Sequence, residues 1–379
     1  MEKLCDFCGE VYVDTPINVK KANQRIDRYK VEPDKIKTNS DKLGQGAFGV
    51  VQLGRYFDVN GDEKEVAVKT TTIDLDEKRE IANLTRELYV MFILNHVNLM
   101  HAYAYSQETG STKTVVKIAM ELKTCSLHDI LFPKNYVFDK KPIYLTATNK
   151  TRHQFMKIAI MGIAHGIKAL HDNDIVHSDL KPGNILVQIE NGILTDVKIS
   201  DFGLSDGTNA IGIGTTPDYE NPITEIEVMY TDAFTTMEKE DDIHSFGVIL
   251  FNLLTARHCY WFSRSGSKNS NYGIFKTRDE FLELVTQTVV MENVNKRRDL
   301  EQFVRQKWAL DKDVNYIEPT ELEKYGVVAE ELMLDGMSQI SFYWFMWVII
   351  TGCCRLKGRW DIDTVLSRLE LLFKLFPSS

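Results

Sequence analysis

Strand-like apolar runs fill the first third of the chain, and three- and four-residue apolar spacings dominate the remainder. The opening residues, to about 38, are polar and mixed in charge without clear periodicity, and read as an extension ahead of the first domain. Two strand-like runs, Gly49–Leu53 and Glu65–Thr70, flank Asp58-Val59-Asn60-Gly61-Asp62, whose Asn-Gly pair is a hairpin-turn signature. From Ile73 to Leu94 strong helix formers carry Leu84, Leu88, Met91 and Phe92, which predicts a helix with one buried face. Further strand-like runs at Leu99–Tyr105 and Lys113–Leu122 complete a β-rich lobe with one long helix. Beyond Ser126 the pattern is mainly helical, with Phe155, Ile158, Ala159, Gly162, Ile163, Gly166, Ile167 and Leu170 on one repeating face. Asp242–Thr255 and Ser341–Cys354 are apolar around most of their circumference, as central helices of a larger domain are.

Composition narrows the class. At 379 residues and 44% hydrophobic, the chain can fill a substantial core without staples. A formal charge of −9 argues against a general nucleic-acid or anionic-membrane binder and weakly favours basic partners. Six cysteines are too few and too scattered for a disulfide scaffold and read as reduced thiols in a cytoplasmic protein. Cys5-x-x-Cys8 is half of a zinc pattern, but no second Cys or His pair lies nearby to complete it. No secretory signal is expected from the N-terminus. The most apolar stretch, Ile340–Cys354, is short of the roughly 18 to 20 residues of a spanning helix, so a buried helix is expected and no transmembrane segment.

The candidate chemistry begins at Leu43-Gly44-Gln45-Gly46-Ala47-Phe48-Gly49-Val50-Val51. A dinucleotide fingerprint opens a helix; this G-x-G-x-x-G array lies between two strands, where glycines also serve turns. Val66-Ala67-Val68-Lys69 then puts a lysine on an apolar strand. Desolvating an ammonium without a counter-charge costs several kcal/mol, so Lys69 calls for a carboxylate and for ligand phosphates. Glu87, on the predicted helix, is the best candidate partner; the bland alternative is a solvated surface lysine.

Ile175-Val176-His177-Ser178-Asp179-Leu180-Lys181-Pro182-Gly183-Asn184-Ile185-Leu186 resembles the catalytic loop of the eukaryotic protein kinase family. Seventeen residues after Asn184 comes Asp201-Phe202-Gly203, similar to the family's metal-binding triplet and set directly behind the strand-like Val197–Ser200. The resemblance extends over about residues 37 to 376 and implies an α+β, two-lobed protein kinase fold. It divides the chain into an extension (1–36), a small antiparallel β lobe with one helix (37–122) and a mainly helical lobe (123–379).

The resemblance implies transfer of the ATP γ-phosphate with Mg²⁺, or Mn²⁺ in its place, to a protein hydroxyl. Because such transfer passes through a loose transition state, positioning and charge neutralisation are the protein's main tasks. Asp179 would orient the acceptor hydroxyl and take its proton, and Lys181 would stabilise the transferring phosphate. Asn184 and Asp201 would hold the metal, and Lys69, supported by Glu87, would bind the α- and β-phosphates. The loop of Leu43, Gly44, Gly46 and Gly49 would cover the phosphates. Met120 would guard the back of the adenine pocket, Val51, Ala67 and Leu186 would sandwich the purine, and the backbone of Glu121, Leu122 and Lys123 would bond its edge. His177 is read as an orienter of the loop, and Phe202 and Met91 as core positions.

The lysine of Asp179-Leu-Lys-Pro-Gly-Asn184 and Thr216, three residues before Tyr219, resemble serine/threonine enzymes, whereas Val66-Ala-Val-Lys-Thr70 looks somewhat like tyrosine kinases and leaves dual specificity open. Three departures stand out. Ser178 occupies the place of an arginine that often clamps an activation-segment phosphate, so activity is expected not to require that phosphate. Asn221-Pro222-Ile223 lacks the usual glutamate partner for Arg359, a role open to Glu225 or Glu227. Residues 257–338 form an insertion suited to partner docking or to padding. From Leu204 through Glu238 there is no Lys or Arg, which fits a basic substrate segment or a plain solvated acidic face. The competing functions are a pseudokinase scaffold or nucleotide-binding regulator and, on the same fold, a small-molecule kinase.

Overall fold

The computed structural model describes residues 25–46, 49–132, 149–207, 219, 238–255, 346, 349–350, 352–353 and 359–375. They fall into two compact units: Met1–Ile130, Ile158–Ile213 and Thr236–Lys239 form the first, and the remaining segments form the second.

The first unit is built on a five-stranded antiparallel sheet of β1 (Ile36–Gly46), β2 (Gly49–Phe57), β3 (Glu63–Asp74), β4 (Ala102–Thr109) and β5 (Lys113–Met120), in the order β1-β2-β3-β5-β4. The Asn60-Gly61 turn forms as expected. The Asp58 carboxylate accepts the backbone N–H groups of Asn60 and Asp62 at 2.8 and 2.9 Å, and Gly61 takes φ 86°, a conformation glycine adopts freely. Helix α1 spans Lys78–Ile93, so the expected start at Ile73 is corrected. The β-branched run Thr70–Ile73 stays in β3, where Ile73 pairs with Thr114 and Asp74 with Lys113. Leu99 likewise does not open β4. It forms a single bridge to Ile199, while the Met100 N–H donates to the Ile199 carbonyl at 2.8 Å.

Helix α1 buries Ile81, Leu84, Leu88, Met91 and Phe92, the i, i+3, i+4 face expected of an amphipathic helix. Residues 25–35 strap its far end. The Tyr29 ring stacks on Phe92 at 4.6 Å, Phe92 meets Tyr105 at 5.9 Å, and the Val31 N–H donates to the Tyr105 carbonyl at 2.8 Å. Ile26 is buried with them.

Not all of the chain beyond Ser126 is helical. Strands β6 (Cys125–Ser126), β8 (Ile185–Glu190) and β9 (Ile193–Ile199) make a second sheet in the order β6-β8-β9, and β7 (Ile175–Val176) pairs with β10 (Asp206–Gly207). The β8–β9 turn is again Asn-Gly, with Asn191 and Gly192 at φ 52° and 77°. Helices α2 (Leu127–Leu131) and α3 (Asn149–His171) come after β6. Gly162 and Gly166 on α3 let β9 approach closely: a Cβ at Gly166 would lie 2.7 Å from the Ile199 side chain, and one at Gly162 3.0 Å from that of Val197.

In the second unit, helix α4 (Lys239–Thr255) buries Ile243, Phe246, Val248, Ile249, Leu250 and Leu253 together with the polar Asp242, His244 and Asn252. Asn252 accepts the Tyr219 hydroxyl at 3.1 Å, and Ser245 donates to the Tyr219 carbonyl at 2.8 Å. Met346, Ile349, Ile350 and Cys353 are buried, in line with a core helix there, and helix α5 spans Ile362–Leu375. Among the described residues no helix is long and apolar enough to cross a membrane. Cys5, Cys8, Ala47, Phe48, Thr216, Asn221–Ile223, Glu225, Glu227 and the 257–338 segment lie outside the described residues.

Candidate active site

A cleft of about 470 Å³ opens in the first unit, walled by Val51, Ala67, Met120, Leu122 and Leu186 at one end and by polar groups at the other. Leu43, Gly44, Gly49 and Glu121 also line it. Gly44 and Gly49 differ in what requires them. Gly49 sits at φ 139°, and a Cβ there would lie 2.4 Å from the Thr70 carbonyl oxygen, so the β2–β3 pairing alone demands glycine. A Cβ at Gly44 would meet nothing within 4 Å, so no protein contact requires its small size. Gly46 ends β1 and pairs with Gly49.

At the polar end the Lys69 ammonium lies 2.5 Å from Glu87 and 2.9 Å from Asp201. Strand β3 carries the lysine, α1 the glutamate, and Asp201 follows β9 with a left-handed φ of 64°. Glu87 is the partner expected from the sequence; Asp201 is a second, 132 residues away. Burial by itself would push the Lys69 ammonium down, but the Glu87 and Asp201 charges and their hydrogen bonds hold it above its ordinary value. Burial raises the Asp201 carboxyl, yet Lys69, aided by His177 and Lys181, brings it below the ordinary range. Glu87, fully enclosed, is pushed up by burial and by Asp201 against the pull of Lys69.

Asp179 stands in the loop after β7 and accepts hydrogen bonds from Lys181 Nζ at 2.6 Å and Asn184 Nδ2 at 3.0 Å. Asn184 Nδ2 also reaches the Asp179 carbonyl at 2.8 Å, which leaves the amide oxygen as its acceptor for a cation. The backbone holds this loop from both sides. His177 is fully buried, with Nε2 3.0 Å from the Ser200 carbonyl oxygen and Nδ1 accepting the Asp179 N–H at 3.2 Å. The Ser200 hydroxyl and N–H both donate to the Asn184 carbonyl. Ser178 adopts φ 67° and is nearly buried. Phe202 is wholly buried and meets the His177 ring edge-on at 5.5 Å.

Among the described residues no group of three or more His, Cys, Asp or Glu side chains is arranged to hold a metal. Asn184 and Asp201 offer two oxygen donors at the cleft, a set that suits Mg²⁺ completed by water and phosphate oxygens. An ammonium, an apolar slot and this donor pair fit a nucleoside triphosphate with its metal.

Several site residues escaped the sequence reading. Met100 and Ser200 line the cleft, as do Ser126 and Asp129. Ser126 and Asp129 bond reciprocally at the start of α2, with the Ser126 hydroxyl donating at 2.6 Å and the Asp129 N–H at 3.2 Å. Their Ser-x-x-Asp spacing was a legible capping signal. Ser205, two residues after Gly203, is 1% exposed; it donates to the His177 carbonyl at 3.2 Å, and its own carbonyl accepts Arg86 at 3.1 Å. That makes it an anchor and a poor phosphate acceptor. In the second unit, Arg359 donates to the Glu240 carbonyl at 2.8 Å.

The protein kinase domain model matches residues 38–315. This chain belongs to the protein kinase family. It is 29% identical over 220 residues to the serine/threonine-protein kinase ATG1c of Arabidopsis thaliana, with 57% of this chain and 26% of that protein covered. It is 31% identical over 234 residues to the serine/threonine-protein kinase unc-51 of Caenorhabditis elegans, covering 57% of this chain and 24% of that protein. With the serine/threonine-protein kinase TOS3 of Saccharomyces cerevisiae it shares 27% identity over 296 residues, 70% of this chain and 49% of the relative. The matched part thus spans about a quarter of the first two relatives' length and about half of the third. Membership fixes the two-lobed α+β kinase fold, to which the antiparallel sheet with its single helix corresponds.

Proposed function

We propose that this protein kinase transfers the γ-phosphate of ATP to serine or threonine hydroxyls of protein substrates. The observation that carries the reading is the Lys69 ammonium held jointly by Glu87 and Asp201 at the polar end of the cleft. A lysine so anchored presents fixed positive charge to phosphates without reorganisation during the reaction. Lys69 binds the α- and β-phosphates, while Val51, Ala67, Met120 and Leu186 enclose the base. Asp179, its Oδ2 held by Lys181 and Asn184, orients the acceptor hydroxyl and takes its proton; Lys181 then faces the charge on the transferring group. Asn184 and Asp201 would hold Mg²⁺, which when bound would neutralise phosphate charge.

Serine/threonine preference is supported by the names of the relatives and by Lys181 in the catalytic loop. Thr216 is assigned to the catalytic set by resemblance alone; protein substrates with basic flanks are supported by the absence of Lys and Arg from Leu204 through Glu238, and partner docking by the length of the 257–338 insertion. The test is transfer of labelled phosphate from Mg·ATP to a peptide array by wild type and Asp179→Ala, followed by phosphoamino-acid analysis. Wild type is expected to yield phosphoserine and phosphothreonine, with a loss of about 10³-fold or more in the variant. Equal signal from both would remove the assigned base, phosphotyrosine alone would overturn the acceptor class, and Mg·ATP binding without any transfer would make the protein a pseudokinase.

A further inference from the structure

Two residues that line the cleft, Glu121 and Lys123, belong to a second set of charges that none of the assigned roles uses. Lys123 Nζ sits 2.9 Å from Glu121 and 2.6 Å from Asp196, and Lys198 Nζ sits 3.2 Å from the other oxygen of Glu121. Lys198 also donates to the carbonyls of Val97 at 2.9 Å and Leu99 at 3.4 Å. Glu121 and Lys123 belong to the segment after β5 that lines the cleft; Asp196 and Lys198 belong to β9, which runs on into Ser200 and Asp201. Backbone bonds close the lattice: Glu121 N–H to the His101 carbonyl at 3.2 Å, and Ile199 N–H to the Asn98 carbonyl at 2.8 Å. Both lysine side chains are about nine-tenths buried, at 9% and 11% exposure, so each ammonium depends on these partners in place of water. Burial lowers the Lys123 ammonium, but its bonds to Asp196 and Glu121 raise it overall, as a fixed pair requires.

We propose that Asp196 and Lys198 are positioning residues for base recognition: through Lys123 and Glu121 they fix the backbone that reads the purine edge, and so set the affinity and selectivity for adenine. The chain between Met120 and Cys125 belongs to no helix or strand; backbone bonds from Glu121 N–H to the His101 carbonyl and from Thr124 N–H to the Val187 carbonyl at 3.0 Å hold its two ends, and the ion pairs of Glu121 and Lys123 add side-chain anchors between them. A preorganised edge binds the base without an ordering cost. A neutralised anchor leaves that cost to be met on each binding event. The phosphates, held by Lys69 at the other end, are indifferent to the change.

This inference rests on the nucleotide reading of the cleft and is tested apart from it. Wild type, Asp196→Asn, Asp196→Glu and Lys198→Met are titrated calorimetrically with Mg·ATP, Mg·GTP and magnesium tripolyphosphate, and their thermal midpoints are recorded. Asp196→Asn and Lys198→Met are expected to weaken ATP about tenfold and to narrow the ATP-over-GTP preference, with tripolyphosphate binding unchanged. Asp196→Glu, which keeps the charge, is expected to return ATP affinity to within about threefold of wild type. In turnover, KM for ATP rises while kcat stays within about twofold. Unchanged ATP affinity in both neutralised variants overturns the inference, and so does an equal loss for ATP and tripolyphosphate. If Asp196→Asn and Lys198→Met fail to fold, Asp196→Glu decides: a tripolyphosphate loss equal to its ATP loss overturns the inference. Failure of wild type to bind Mg·ATP at all would instead remove the nucleotide reading on which the inference stands.

Discussion

The two ion clusters that bracket the cleft are built from the same residue types and differ in sum. The Lys69 cluster sets one ammonium against two carboxylates, and the Lys123 cluster sets two ammoniums against two carboxylates. The first is left with net negative charge in a desolvated place, a state completed by a cation such as the metal that accompanies nucleotide phosphates. The second is balanced within itself, which suits the role proposed for it, to hold the shape of the segment that would meet an uncharged base.

Breaking the unbalanced cluster carries the largest expected effect. Lys69→Met leaves Glu87 and Asp201 facing each other without their shared cation. The expected loss is about 3 kcal/mol or more of stability, read in urea denaturation, with phosphotransfer down by about 10³-fold or more in the same preparation. Added Mg²⁺ is expected to restore part of the midpoint, because it replaces the missing positive charge. A variant as stable as wild type would show that the cluster is not under electrostatic stress.

Helix α1 offers an indirect way to loosen the same end. Tyr29→Ala removes the ring stacked on Phe92, five residues along the helix from Glu87. An expected cost of about 2 kcal/mol combines lost aromatic contact with lost apolar burial. Hydrogen exchange is expected to rise in α1 before it rises in β9; equal protection of α1 in both proteins would confine residues 25–35 to a passive role.

Acid separates the clusters further. Asp201 is held below the ordinary carboxylate value, so the folded state binds fewer protons there than the unfolded chain. Its contribution to stability is present in full above about pH 4 and is lost as pH falls through the lower folded value. Asp201→Asn should therefore flatten the acid limb of the stability curve. Lys123, held above the ordinary lysine value, acts with the opposite sense: its contribution is complete below about pH 10 and fades as pH rises through the folded value. Denaturation midpoints measured across pH for wild type, Asp201→Asn and Lys123→Met test both limbs.

The smallest effect is expected where charges meet in water. Arg55 and Glu63 pair at 2.8 Å with 65% and 45% of their side chains exposed. Arg55→Ala should move stability by about 0.5 kcal/mol or less, and a larger shift would mean that the buried and exposed pairs of this sheet are not as different as the burial implies.

Much of the first unit was legible because its signals are local. The Asn60-Gly61 turn, the apolar face of α1 and the spacing from Asp179 through Asn184 to Asp201 each depend on neighbours within a few turns or strands. The misplaced start of α1 has the same root: helix formers such as Leu75 and Glu77 invited an early start, but the pairing of Ile73 and Asp74 with β5 overrode them. Of the small β6-β8-β9 sheet only the Val197–Ser200 run stands out along the chain as strand-like, although Asn191-Gly192 carries the same turn signal as Asn60-Gly61. Short strands have too few residues for their periodicity to stand out from a helical background.

Residue type and spacing along one strand, helix or loop are written in the chain, and they suffice to mark the side chains suited to phosphate chemistry. How the charges are shared depends on packing: Asp201 reaches Lys69 across 132 residues, and Asp196 reaches Lys123 across 73. Desolvation forces each buried charge to find a partner, but which partner stands within 3 Å is settled by how β9 packs beside β8 and α3, and no periodicity along the chain records that packing.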